Sequence, residues 1–167
     1  MTREQDMRKE FETAYENYAD ALFRHCFFRV SSRETALDLV QESFLKTWDY
    51  MQKGEKIINL KSFLYRVVNN SIIDFYRKRK SESLDALAED GFDPPVRHNE
   101  DIMSQTEYNR AISFFEKLSE QYRSVMIMRF IDGMAIPEIA EILNETENNV
   151  SVRIHRGLEK IRKLMEI

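Results

Sequence analysis

Pro137-Glu138-Ile139-Ala140-Glu141-Ile142-Leu143, then Asn144-Glu145-Thr146-Glu147, then a helical run to Lys163: this stretch decides the fold. Proline suits the first turn of a helix, where its missing N–H is not needed. Ile139, Ala140 and Leu143 are expected to face inward from a short helix. The polar turn follows, and Thr146 can cap the next helix. There Val150, Ile154, Leu158, Ile161 and Met165 recur at spacings of four, four, three and four. The exposed side carries Asn148, Asn149, Ser151, Val152, Arg153, His155 and Arg156. A short helix, a tight turn and a second helix with Asn and Arg in its opening turns read as a helix-turn-helix. The second helix of such a motif lies in the major groove with its first turns at the base edges. Asn pairs bidentately with adenine and Arg with guanine. Lys160, Arg162 and Lys163 lie farther along and suit phosphates. A helical hairpin with a solvated basic face is the plainer alternative; turn, stripe and polar face together favour DNA reading.

Upstream, a helix from about Gln105 to Leu118 carries Tyr108, Ile112 and Phe115. Ser119 can cap the next, with Val125, Met126, Met128 and Phe130 as its apolar positions, and Asp132-Gly133 ends it. Before it, residues 81–104 have no sustained stripe, contain Gly91, Pro94 and Pro95, and read as a linker. The linker holds seven acids and one base, a net −6. The chain as a whole is −4, so the remainder is +2, with a basic block at Arg77-Lys78-Arg79-Lys80. Local basic patches, rather than net charge, are the footprint of nucleic-acid binding. The acidic linker could shield those patches in the free protein.

The N-terminal part, residues 4–80, reads as three helices. Phe11, Tyr15, Tyr18, Leu22, Cys26 and Phe27 make the first stripe. Ser31-Ser32-Arg33-Glu34 matches a capping box for the second helix. Its apolar stripe is Ala36, Leu39, Val40, Leu45 and Trp48, with Phe44 beside it, and the other face shows Asp38, Gln41, Glu42 and Lys46. Tyr50 to Asn59 is expected to be a loop, with Asn59 capping a third helix from Leu60 to Lys80. Its stripe is Leu60, Phe63, Leu64, Val67, Val68, Ile72 and Phe75. Tyr65, Arg66, Asn69, Asn70, Asp74 and Arg77 fall mostly on other faces.

Only four glycines and three prolines punctuate 167 residues, which favours long helices. The chain is expected to be all-α, with two small domains at 4–80 and 105–167. Domains this small bury a modest share of their surface. The single cysteine, Cys26, excludes an internal disulfide and suits a reducing cytoplasm. It is read as core rather than as a redox sensor. No signal peptide or membrane-spanning run is visible. His25, His98 and His155 are scattered, and no Gly-rich phosphate loop is present, so catalysis, a metal, a cofactor and a small-molecule substrate are not expected.

The run Glu138 to Leu143 with Val150-Ser151-Val152-Arg153-Ile154-His155-Arg156 resembles region 4 of bacterial sigma factors. Leu118 with Tyr122-Arg123-Ser124-Val125 looks like its preceding helix. Asp38-Leu39-Val40-Gln41-Glu42-Ser43-Phe44 resembles the region 2 helix that docks on core RNA polymerase, and Phe63 to Arg77 the promoter-melting helix. With both regions in order, about Phe11 to Lys163 is similar to an ECF (extracytoplasmic function) sigma factor of the sigma-70 family. The resemblance implies that Asp38, Gln41 and Glu42 contact polymerase. Asn69, Asn70, Asp74, Arg77 and Lys78 would serve the −10 element, with the 50–59 loop holding an unstacked base. Asn148, Asn149, Ser151, Val152, Arg153, His155, Arg156 and Lys160 would serve the −35 element. It further implies core polymerase, promoter DNA and an anti-sigma factor as partners, and a linker that threads toward the RNA exit path. Three departures stand out. Asn144 replaces a turn glycine, Gly157 stands where alanine is usual, and Ser151 replaces a common lysine. A stand-alone helix-turn-helix regulator is the competing reading, and the docking pattern in the N-terminal half argues against it.

Overall fold

A computed structural model describes residues 2–90 and 106–166. Helix α1 spans Arg3–Val30 and α2 spans Arg33–Gln52. The two are joined by a tight corner in which Ser31 takes the left-handed conformation, φ 56°. The α2 cap is Ser32, whose side chain accepts from the Thr35 amide at 3.3 Å. The expected Ser31–Glu34 box is therefore displaced by one residue, because Ser31 is used to end α1.

Helix α3 spans Leu60–Asp90, capped by Asn59 Oδ1, which accepts from the Ser62 amide at 3.1 Å. It passes the expected end at Lys80. Residues 81–90 contain Leu, Ala and Glu and no proline or glycine before Gly91, so nothing in the chain stops the helix earlier. The rest of the expected linker, 91–104, lies outside the described residues.

Helices α1, α2 and α3 pack mutually into the first domain. Leu22, Cys26, Leu39, Val40, Leu64, Val68 and Ile72 form its centre. Phe11, Tyr15, Phe44 and Trp48 form an aromatic cluster, with Phe11 edge-on to Trp48 at 5.0 Å. The stripes differ in detail from expectation. Phe44 is buried and Leu45 is 66% exposed, because Ser43 and Thr47 turn inward and bond back to the Leu39 and Ser43 carbonyls. Tyr65 and Asn69 are buried as well.

The second domain consists of α4 (Thr106–Glu116), α5 (Glu120–Phe130), α6 (Ile136–Leu143) and α7 (Glu147–Met165). Arg123 closes the C-terminal end of α4. Its Nε donates to the Phe115 carbonyl at 2.8 Å, and its Nη2 donates to the Glu116 and Leu118 carbonyls, both at 2.9 Å. A cation on those unpaired carbonyls also meets the negative end of the helix dipole. Val125, Met126, Ile127, Met128, Met134, Ile139, Ile142, Val150 and Ile154 fill the core. Ile127 and Ile142 are buried, while Phe130 is exposed and Leu143 only half-buried, a rotation of the α5 and α6 stripes from the expected faces.

Gly157 decides how closely α7 approaches α5. A Cβ there would lie 2.8 Å from Met126 Sδ and 2.9 Å from its Cγ. The domains also meet. The end of α1 packs against α4 and α5, and α3 packs against α6. Phe28 and Phe115 form an edge-to-face pair across that boundary at 5.9 Å.

Candidate nucleic-acid interface

The α6–α7 turn depends on Asn144, which holds φ 52° and ends α6, its amide reaching the Ala140 and Glu141 carbonyls. Asparagine adopts this left-handed conformation more readily than other residues bearing a Cβ. Thr146 then caps α7, accepting from the Asn149 amide at 3.1 Å. Residues Asn148, Asn149, Ser151, Val152, His155, Arg156 and Lys160 are exposed along α7. The positive end of the helix dipole, the free amides and the amide side chains thus converge at one exposed helix start.

Three of these side chains have partners. Arg153 is half-buried and its Nη2 lies 2.6 Å from Glu145 Oε2. His155 Nε2 lies 3.4 Å from Glu159. Lys160 sits over the Tyr122 ring at 5.1 Å, a cation–π contact that holds its ammonium close to the domain. Spacing along α7 could reveal only the His155–Glu159 pair, one turn apart, since Glu145 and Tyr122 lie outside that helix.

On α3, Asn70, Asp74, Arg77 and Lys78 are exposed, with Arg77 Nη1 3.8 Å from Asp74. Asn69 differs: it is buried, and its Oδ1 accepts from Arg29 Nη1 at 2.9 Å. Helix α2 presents Asp38, Gln41 and Glu42 outward, with exposed Leu37 and Leu45 beside them. Glu42 pairs with Lys46 at 2.7 Å. Sequence reading missed those two leucines, although two large apolar groups flanking an acidic face are a recognisable docking signal. It also missed Ile58, 96% exposed in the loop that follows α2. Cys26 is fully buried, and desolvation pushes its thiol up to about 12, as a core residue requires.

The Sigma-70 region 2 family model matches residues 14–82, and the Sigma-70, region 4 model matches residues 109–161. The ECF RNA polymerase sigma factor SigW of Bacillus subtilis is 30% identical over 161 residues, covering 87% of this chain and 83% of the relative. This chain belongs to the ECF sigma factors of the sigma-70 family. RNA polymerase sigma factor SigV of the same organism is 27% identical across 97% of this chain and 95% of its own length. Sigma factor RpoE from Bartonella quintana, solved in complex with the anti-sigma factor NepR, shares the fold. Its TM-score is 0.78 at 23% identity, covering 95% of this chain and 98% of that one. CnrH, solved with the cytosolic domain of CnrY, gives a TM-score of 0.73 at 22% identity, covering 95% of this chain and 89% of that one. As a sigma factor, the chain is a transcription initiation factor carrying a DNA-binding helix-turn-helix. Among the described residues, no helix is long and apolar enough to cross a membrane.

Proposed function

We propose that this sigma factor directs core RNA polymerase to a specific set of promoters by dividing the work among three surfaces. The observation that carries this is the exposed, properly capped start of α7 on the same chain as the acidic and apolar outer face of α2. Asn148, Asn149, Ser151, Val152, Arg153, His155 and Arg156 read the −35 duplex, where Val152 offers an apolar contact for a thymine methyl. Lys160 with Arg162 and Lys163 supplies backbone charge. Asp38, Gln41 and Glu42 dock on the polymerase, with Leu37 and Leu45 adding apolar area.

At the −10 element, Asn70, Asp74, Arg77 and Lys78 line the exposed side of α3, joined by Asn69 once it is released from Arg29. The loop bearing Ile58 lies near a strand leaving the stack. Unpairing costs a few kcal/mol, which the polymerase interface helps to offset. An anti-sigma factor is the expected inhibitor, as NepR is a partner of its own sigma factor. The working compartment is the cytoplasm, where the polymerase and promoters are.

The test is transcription in vitro from a genomic library with core polymerase, with and without the protein, followed by mapping of start sites. A shared upstream pair of elements at protein-dependent starts is expected. Identical starts without the protein would refute the reading. A stand-alone regulator would instead bind its sites as tightly with polymerase absent and would not co-purify with it.

A further inference from the structure

The turn of the helix-turn-helix carries a carboxylate that faces the reading helix. Glu145 follows Asn144, and its amide donates to the Ala140 carbonyl at 3.0 Å, which pins its backbone to the end of α6. The next residue, Thr146, caps α7. Glu145 therefore stands on backbone fixed from both sides. Its side chain is 29% exposed, and Oε2 accepts from Arg153 Nη2 at 2.6 Å.

Arg153 occupies a particular place on α7. Val150, Ile154 and Gly157 form the buried face of that helix, while Asn149 and Arg156 are exposed. Arg153 is four residues from Asn149 and three from Arg156, spacings that make the three neighbours on one flank. It sits on the shoulder between core and groove, with its side chain 23% exposed. A guanidinium presents its N–H donors in a rigid planar fork and accepts nothing. Glu145 takes one N–H of Nη2, and enough remain to meet guanine O6 and N7 as a pair. The ion pair also has a cost. A carboxylate beside a duplex opposes the phosphates and cancels the charge of Arg153. Lys160 differs in this respect, because the Tyr122 ring restrains its ammonium without neutralising it.

We infer that Glu145 is a positioning residue for promoter readout: its carboxylate, outside the recognition helix, holds the Arg153 guanidinium aimed at one base of the −35 element, lowering overall DNA affinity and raising discrimination at that base. The inference rests on the assignment of Arg153 to the −35 duplex above. A free arginine loses much rotamer freedom when it meets a base. Holding the fork beforehand moves that loss to folding and favours the base edge that fits the held geometry. Removing the carboxylate therefore has two effects of opposite sign. Discrimination falls at a single position, and binding to unrelated duplex rises because a negative charge has left the interface.

The test uses holoenzyme assembled from core polymerase and the full chain. A fully randomised pool of duplexes competes for it, and the retained DNA is sequenced for the upstream motif. Arg153→Ala locates the position, where the base preference should disappear. Glu145→Ala should lower that same preference by about threefold or more, leave the other positions unchanged, and retain more unrelated duplex than the parent. Glu145→Gln should keep the preference of the parent, since its side-chain carbonyl still accepts from Nη2, and should share the raised retention, since its charge is gone. A Glu145→Ala profile equal to the parent's, with the preference lost in Arg153→Ala, overturns the role of Glu145 and leaves the Arg153 assignment standing. A loss spread evenly over all positions marks a purely structural role and overturns it as well. Equal loss of preference in Glu145→Gln and Glu145→Ala assigns the effect to charge rather than aim and also overturns it. A parent without base preference, or a preference that survives in Arg153→Ala, refutes the promoter assignment of Arg153 and the proposal with it.

Discussion

Gly157→Ala is the substitution on which helix propensity and packing disagree in sign. Alanine is about 1 kcal/mol better than glycine inside a helix, so propensity alone predicts a more stable protein. The structure predicts the reverse. The added Cβ would stand 2.8 Å from Met126 Sδ and 2.9 Å from Cγ, where carbon contacts ordinarily fall at about 3.5–4.0 Å. Met126 is 1% exposed, so it can yield only by displacing other core side chains. Overpacking of this kind costs about 1–3 kcal/mol. The expected net is a loss of about 1 kcal/mol, or a fall in Tm of roughly 4–8 °C for a domain of this size. Urea and thermal melts of the full chain followed at 222 nm measure it. A double-mutant cycle supplies the control. Met126→Ala costs about 2–5 kcal/mol in a filled core, and should cost about 1 kcal/mol less in the Gly157→Ala background, where the added methyl takes up part of the space. A rise in Tm for Gly157→Ala, or no coupling between the two sites, would refute the packing argument.

Other substitutions address the turn, the readout, the docking face and the core. Asn144→Ala forces a Cβ residue without a local amide into φ 52°, so it should lose about 1 kcal/mol while Asn144→Gly is tolerated; urea midpoints of the two variants check this. Arg153→Ala should weaken binding to a −35 duplex by about 1–3 kcal/mol and relax one base position, read by fluorescence anisotropy against a set of single-base variants. Equal affinity would remove Arg153 from the readout. Asp38→Ala should reduce co-purification with core polymerase and leave duplex binding by the second domain unchanged. Cys26 supplies a pH test. Its folded thiol is raised to about 12 against an ordinary value of 9.0, so it ionises first in the unfolded chain. The stability it contributes is full below pH 9 and is lost as pH rises toward 12, with a slope approaching about 1.4 kcal/mol per pH unit. Urea midpoints at pH 8, 9 and 10 should fall less steeply for Cys26→Ala, and an unchanged slope would contradict the burial.

Short-range chemistry determined much of this protein. Pro137, Asn144 and Thr146 act within a few residues of themselves, so the α6–α7 boundaries follow from steric and capping rules that need no distant partner. The same holds for Asn59 at the start of α3, whereas the end of that helix is expected at Lys80 and the structure carries it to Asp90. The outward faces of α2 and α7 were legible because a helix repeats every 3.6 residues. What periodicity cannot supply is the identity of the neighbour. Leu45 and Phe44 are adjacent apolar residues, and only the position of Phe11 and Tyr15 makes Phe44 the buried one. Gly157 looks like a flaw until Met126 is placed against it. Arg29 carries no sequence signal at all, since its partners Glu120 and Asn69 lie 91 and 40 residues away. The sequence alone thus determined the helix segments and most of the faces that meet solvent, because those depend on local hydrogen bonding and spacing. Tertiary structure decided that the domains close through a buried polar chain, because a charged side chain is buried only where distant residues converge to satisfy it.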